Sequence, residues 1–499
     1  MVFAGDAEGG AQPGTVLCIG AGPAGLTAAY VLSRERRPVL VLEADPRHVG
    51  GISRTETYRG FAFDIGGHRF FSKSEEIEAL WDEMLGEPFL VRPRKSRIFY
   101  RGKLFDYPLR AGDALIKLGP IEALRCVASY AYAAAFPPRP VTSFEDWVTA
   151  RFGRRLFEIF FKTYTEKVWG MPCSEISADW AAQRIKGLNL FQAIWRALKP
   201  QRSGTPREQI IKTLVNEFRY PRRGPGMLWE TVARRIAEAG GEVRLGHRVQ
   251  GLTRLPQGGW LVEAAGPDGV PVAFRAAEVI SSMPMRDLVP AIRPALPAEA
   301  LAAAESLRYR DFLTVALILK DRRRFDDNWI YIHDPGVKVG RIQNFKSWSP
   351  DMVPDPALTC YGLEYFCFEG DGLWTAADAD LLRLAAEELV RLGLAAADDI
   401  LDGTVIRQPK AYPVYDADYQ RHVETIRAAL DAHAPGLHPV GRNGMHKYNN
   451  QDHAMMTALL TARNILAGRR IYDVWKVNQD AEYHEEKTAE GGRLVPERV

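Results

Sequence analysis

Cysteine is scarce and unpatterned in this 499-residue chain: Cys18, Cys126, Cys173, Cys360 and Cys367 are scattered, odd in number and never spaced as CxxC. That excludes a zinc ribbon and a disulfide framework, and it fits a reducing cytoplasm. Charge of one sign is also missing. With 65 basic and 62 acidic residues the net charge is only +3, so nothing points to nucleic acid as a partner. No apolar run is long enough for a transmembrane segment. The longest, "VASYAYAAAF" from Val127 to Phe136, reads as a buried helix, with peripheral membrane contact as the alternative. The opening "MVFAGDAEGGAQPG" lacks the basic-then-apolar pattern of a secretion signal and reads as a flexible leader. Repeats and low-complexity blocks are absent too. What remains is an ordinary globular composition, 46% hydrophobic and 25% charged, in a chain long enough for two or three interleaved units.

The first informative stretch is a βαβ pattern. "TVLCIG" is a short apolar strand, "AGLTAAYVLSRE" has helical spacing, and "PVLVLEA" is the next strand. Gly20, Gly22 and Gly25 lie between the strands in the GxGxxG arrangement, and Glu43 ends the second strand. A glycine triplet alone is weak, but in this context it specifies a dinucleotide site. Gly20 permits the turn, Gly22 lets backbone approach a pyrophosphate, and Gly25 allows close helix packing. Glu43 accepts a ribose hydroxyl, and the helix N-terminus favours the negative charge.

Later strands, in "GGEVRLGHRVQGLTRL", "GWLVEA" and "AEVISSMP", and the helix "HAMMTALLTARNILAG" read as parts of the same α/β core. The expected fold is therefore α/β, with a discontinuous Rossmann-type nucleotide domain over 15–70, 221–289 and 430–470. Residues 71–220 form a helix-rich insertion and 290–429 a mixed β-sheet substrate domain; 1–14 is the leader and 471–499 a C-terminal extension. "FEDWVTARFGRRLFEIFFKTYTEKVWG" is the clearest amphipathic run of the insertion, and "LKPQRSGTPRE" reads as a loop.

Two further glycine pairs, in "GGISRT" and "DIGGHRFF", let backbone run close to a large cofactor. This arrangement resembles the FAD-binding halves of the flavoprotein superfamily that contains amine oxidases, protoporphyrinogen oxidase and phytoene desaturase. It implies FAD on Gly20, Gly22, Gly25, Glu43, Gly51, Arg54, Gly66 and Gly67. No second GxGxxG follows, so NAD(P)H or another external reductant has to reach the flavin through the substrate cleft.

Three separated segments narrow the resemblance: "GKLFDYPL", "YTEKVWGMPCSEISADWAAQRI" and "GRNGMHKYNNQDHAMMTALLTARNIL", supported by "GGHRFF" and "LRYR". Together they resemble UDP-galactopyranose mutase, from about Thr15 to Leu466. The resemblance implies a non-redox isomerisation of a nucleotide sugar between pyranose and furanose forms, with N5 of reduced FAD as the covalent nucleophile. It implies that Arg184 and Arg310 contact the diphosphate or the substrate loop, that Arg341 in "VGRIQNF" falls where the family also has an arginine on the substrate, and that Trp169 stands near flavin and sugar at a helix end marked by Gly170 and Pro172. Tyr164, Tyr448 and Asn450 fall at substrate-facing positions, His68 beside the flavin, and Asp452 either at the flavin pyrimidine or capping the last helix.

Departures from that pattern lie where substrate identity is set. Asn450 stands where bacterial members commonly carry an acid, and Val339 where the family has a diphosphate-binding tyrosine. Phe191 and Trp195, at helical spacing, read equally as core residues and as nucleobase-stacking groups. An FAD-dependent oxidoreductase acting on a sugar, amine or polycyclic or isoprenoid substrate is the alternative. Adjacent Glu166 and Lys167 do not face each other on a helix and read as solvated. No histidine spacing specifies a metal site, and the oligomeric state is not legible.

Overall fold

The computed structural model describes residues 14–178 and 217–478, apart from residues 88, 108 and 110. Arg184, Phe191, Trp195, the loop Leu198–Glu208, the leader through residue 13 and the extension beyond residue 478 lie outside the described residues.

Five short parallel strands make the first sheet, in the order Leu437–Pro439, Glu278–Ser281, Val16–Ile19, Val39–Leu42, Glu242–Arg244. Strands buried on both faces need continuous apolar sequence, and "VLCI" and "VLVL" supply it. Their side chains then divide by the period of two. Val16, Cys18, Val39 and Val41 pack against helix Pro23–Arg34, Trp229 and Met456. Leu17, Ile19, Leu40 and Leu42 pack against Trp260, Phe274 and Met285. Alanines on Pro23–Arg34 and on Gln451–Leu466 let these two helices lie side by side.

Not all the later strands enter this sheet. Arg248–Arg254, Trp260–Ala265 and Pro271–Ala276 form a separate antiparallel meander, extended by Ile292–Arg293, which covers one face of the parallel sheet. The turn at Gly258 and Gly259, both at positive φ, folds this ribbon back on itself.

A mixed sheet of seven strands forms the other half. Its order is Ile400–Pro413, Tyr309–Lys320, Leu358–Cys367, Arg341–Asn344, Trp329–Ile332, Ser96–Tyr100, Lys103–Asp106. All pairings are antiparallel except that of Trp329–Ile332 with Ser96–Tyr100. The last two strands at one side of this sheet thus come from the stretch that reads as helix-rich. Helix Asp378–Arg391 covers one face through Leu381, Ala385 and Leu389.

The helical layer also differs from its sequence reading. The amphipathic run breaks at Gly153 into Phe144–Phe152 and Arg154–Phe157, followed by a π-helical turn at Glu158–Lys162 and the helix Thr163–Trp169. Gly153 has φ +81°, and a Cβ there would meet the backbone of Ser129 and Tyr130 at 2.7–2.8 Å, so close helix packing forces the break. The helix Pro120–Ala135 is not buried, contrary to expectation: within it only Cys126 and Ala133 are core residues.

Where the halves meet, Asp64 is completely buried and accepts hydrogen bonds from the Tyr220 hydroxyl (2.5 Å) and Thr55 Oγ1 (3.4 Å). Thr55 Oγ1 in turn accepts the Gly226 N–H at the start of helix Gly226–Glu238. Burial outweighs these two bonds and pushes the Asp64 carboxyl up to about 8. A carboxyl raised in the folded state binds more protons there than in the unfolded chain, so its linked stability falls as pH rises from the ordinary carboxylate range toward 8. Asp64→Asn, which keeps the shape without the charge, is expected to flatten this dependence. Urea unfolding at acid and neutral pH measures it; an unchanged slope would show that Asp64 titrates normally.

Candidate active site

The glycine cradle is built as a close fit of backbone on backbone. A Cβ on Gly25 would lie 1.8 Å from the Gly20 carbonyl oxygen, and one on Gly20, at φ +96°, 2.3 Å from Ser282 Oγ. Gly22 and Gly51 face each other, with 3.3 Å from a Gly51 Cβ position to Gly22 Cα. Helix Pro23–Arg34 starts at Gly22 with Pro23 in its first turn, no side-chain cap and no acidic residue there. Its first-turn N–H groups and its positive dipole end are therefore offered to an anion. Glu43 accepts the Ala21 N–H at 2.6 Å and the Asp45 N–H at 2.8 Å, and burial raises its carboxyl. Arg54 ties the second glycine pair to the large sheet through Gly51 O (3.1 Å), Glu56 (2.7 Å) and Gln408 Oε1 (2.7 Å). These features fit a dinucleotide whose pyrophosphate rests on the helix N-terminus.

From the cradle the chain runs through strand Phe61–Asp64 to Gly66, Gly67 and His68. Gly66 has φ +86°, and a Cβ on Gly67 would sit 3.0 Å from both Gln343 Nε2 and Trp348 Cζ2. The loop can lie on the large sheet only because it lacks side chains at this point. Beneath it runs a buried polar chain. Arg341 Nε bonds the Glu364 carboxylate, Gln343 Nε2 donates to Glu364 at 2.8 Å, and Trp348 Nε1 donates to Gln343 Oε1 at 3.0 Å. Burial alone would pull the Arg341 guanidinium down, but the Glu364 carboxylate and neighbouring phenols hold it well above its ordinary range, so Arg341 is a permanent cation. Its side chain keeps 17% of its surface accessible, while Glu364 has none.

His68 stands over this chain. Burial, then the positive charges of Arg442 and Arg341, lower it to about 3, so the imidazole is neutral at neutral pH. Its Nδ1 has no hydrogen-bond partner among the described residues, which leaves it a contact to offer.

Tyrosines close the cleft. Tyr164 stacks on His333 with centroids 5.1 Å apart and meets Tyr331 edge-on at 5.3 Å. Tyr412 stacks on Tyr448 at 5.7 Å, and the Arg442 guanidinium lies 5.2 Å from both rings. Burial raises Tyr164 well above the ordinary phenol range and Tyr412 to about 12, so both remain hydroxyl donors. Arg442 itself donates to Asn449 O (2.8 Å) and Ala411 O (3.1 Å).

Several expected residues stand differently. Arg310, read as an anion binder, is 4% exposed and donates to Val168 O (2.9 Å), Lys167 O (3.1 Å) and Phe366 O (3.0 Å). Its guanidinium thus caps the last carbonyls of helix Thr163–Trp169, and burial lowers it to about 10. Gly170 makes this cap fit: it sits at φ +63°, and a Cβ would meet the guanidinium at 2.5–2.6 Å. Trp169 is 3% exposed and belongs to the helical core, tilted against Tyr448 at 6.4 Å; it is a wall behind the cleft and not an open face of it. Lys167 is not solvated. Its ammonium donates to Ile332 O (3.2 Å), Asp334 O (2.7 Å) and Val339 O (3.0 Å), and burial lowers it to about 8.

At the C-terminal motif Asn450 precedes helix Gln451–Leu466, its N–H donating to His453 Nδ1 at 3.2 Å. Asp452 accepts the Ser72 hydroxyl at 3.1 Å and so faces the segment after His68. Sequence reasoning missed Glu364, Gln343, Tyr412 and Arg442. Glu364, an acid inside the apolar strand Leu358–Cys367, was the one legible signal among them.

A parallel sheet, the glycine cradle on a helix N-terminus and a cation-lined cleft beside His68 together define an FAD-dependent flavoprotein. The chain belongs to the flavin-containing amine oxidoreductase family, whose description it matches over residues 23–430. It is 24% identical to protoporphyrinogen oxidase 1, chloroplastic, of Arabidopsis thaliana over 328 residues, 62% of this chain and 60% of the relative. The chain thus spans less than two thirds of the curated relatives it matches first. Putrescine oxidase of Kocuria rosea is 38% identical over 110 residues, 20% of this chain and 22% of that protein. In fold, the chain is similar to a crystal structure of reduced UDP-galactopyranose mutase, with a TM-score of 0.77 and 21% identity over 91% of this chain and 94% of the other.

Proposed function

We propose that this protein isomerises a nucleotide sugar between pyranose and furanose forms. The observation that carries this reading is the cleft beside His68, where the Arg341 cation meets the phenols of Tyr164, Tyr331 and Tyr412, with Tyr448 stacked on Tyr412 and Arg442 against both rings. Permanent positive charge and hydroxyl donors in a partly dry cleft suit a diphosphate on which charge develops as it leaves. A cationic amine would be repelled there, and Glu364 is already engaged by Arg341 and Gln343. Reduced FAD, when bound, supplies a nucleophilic flavin N5 to the sugar. The chain's own residues bind and orient the sugar, exclude water and stabilise the diphosphate. Arg184 and Asn450 are proposed to complete the substrate side, with Trp169 as the wall behind it and Arg310 and Lys167 holding helix Thr163–Trp169 in place.

An oxidoreductase acting on a sugar, amine or polycyclic or isoprenoid substrate is the second reading. Membership of the family and the likeness to protoporphyrinogen oxidase and putrescine oxidase favour it equally. So does Val339, which is buried with its N–H on Glu388 and puts no phenol into the cleft. The test is anaerobic reduction with limiting reductant, followed by a screen of nucleotide sugars by chromatography and mass. Many same-mass products per reduced flavin are expected. Stoichiometric flavin reoxidation with a two-hydrogen mass change would instead establish the oxidoreductase.

A further inference from the structure

The helical layer carries an apolar face with nothing upon it. Helix Pro120–Ala135 is anchored on one side by Cys126, Ala133 and the Ser129 hydroxyl, which accepts the Arg155 N–H at 3.0 Å. On the other side Ile121, Leu124, Ala128, Tyr132 and Phe136 recur at spacings of three and four, one continuous stripe. Leu124 is 70% exposed, Tyr132 and Phe136 68% each, and the two rings lie 5.3 Å apart at the helix end. The preceding helix Ala111–Leu118 adds Ile116, 82% exposed, to the same layer. Scattered exposed apolar residues are ordinary, but a helix-long stripe is not explained by the fold.

Along the segment that carries it, the exposed charges have one sign. Among the described residues from 101 to 141, the fully exposed charged side chains are Arg101, Lys103, Arg125 and Arg139. Asp106, Asp113 and Glu122 are only half-exposed; Asp113 pairs with Lys117 at 2.5 Å, and Glu122 bonds Arg155. Lys103 Nζ donates to Lys117 O at 2.7 Å, which fixes the turn Arg101–Lys103 at the end of the first helix, where the chain enters Ile121. The segment that carries the apolar stripe is therefore cationic at its exposed charged positions.

We propose that this face docks the protein peripherally on an anionic phospholipid bilayer. The stripe enters the headgroup boundary and the four cations meet lipid phosphates. A second copy fits less well, because an isologous contact would press this cationic segment against itself. Among the described residues no helix is long and apolar enough to cross a membrane, so the contact is interfacial.

The experiment uses the full-length FAD-loaded protein, floated with vesicles of phosphatidylglycerol and phosphatidylcholine in equal parts or of phosphatidylcholine alone. Flotation is expected with the anionic vesicles and is expected to weaken as salt rises. The Leu124→Glu/Tyr132→Glu double variant should lower the partition about tenfold or more, and Arg101→Glu/Lys103→Glu should do so about tenfold on the anionic vesicles only. Both pairs are surface changes, so flavin absorbance and turnover in solution should match the parent. Absence of flotation, or undiminished flotation of Leu124→Glu/Tyr132→Glu, would overturn the proposal. So would light scattering that finds a dimer which this variant dissociates, since the face would then join two copies of the chain.

Discussion

Gly25→Ala is expected to give protein that folds poorly or purifies with little flavin, with FAD affinity lowered about tenfold or more, since any displacement costing ~1.4 kcal/mol in binding is tenfold. The obstacle is backbone and cannot rotate away: the new methyl would lie 1.8 Å from the Gly20 carbonyl oxygen. Helix Pro23–Arg34 would have to retreat from the first strand, taking its uncapped N–H groups away from the pyrophosphate position. Small residues on both sides of the interface with helix Gln451–Leu466 leave it no slack in that direction. The ratio of flavin to protein absorbance, with a titration of added FAD, measures the effect. A variant that retains full FAD at parental affinity would show that the cradle does not hold the cofactor this way.

Arg341→Ala is expected to abolish turnover and to destabilise the fold by about 3–5 kcal/mol, the usual cost of leaving one member of a buried ion pair alone. Glu364 has no accessible surface and, among the described residues, only the Gln343 side chain remains to bond its carboxylate, so its charge would have to be neutralised by a proton. Glu364→Gln in the same background removes that uncompensated charge and should recover most of the stability without recovering turnover. Urea unfolding of the four members of this double-mutant cycle separates the two roles. Equal destabilisation by Arg341→Ala with and without Glu364→Gln would show the pair to be uncoupled. Restored turnover in the double variant would remove Arg341 from the cleft chemistry.

The cofactor half was legible because its requirements are local. A strand buried on both faces must be apolar throughout, a pyrophosphate turn must lack Cβ atoms, and the ribose acceptor must follow at the end of the next strand; all three lie within Thr15–Glu43. The substrate half was only partly legible. Arg310 and Arg341 look alike as exposed-or-functional arginines in a string of residues, yet one caps a helix and the other faces a cleft. That difference depends on Gly170 and Glu364, which are remote in sequence. The same holds for Lys167, whose three carbonyl partners come from the segment Ile332–Val339.

The sequence by itself determined the parallel nucleotide-binding core, the glycine cradle and the helix stop after Trp169, because neighbouring residues dictate backbone conformation and periodicity. Tertiary structure alone decided which arginine keeps its charge in the cleft, why His68 is neutral, and that helix Pro120–Ala135 turns an apolar face outward. Burial, ion pairing and exposure are properties of surroundings assembled from distant segments, and no local pattern encodes them.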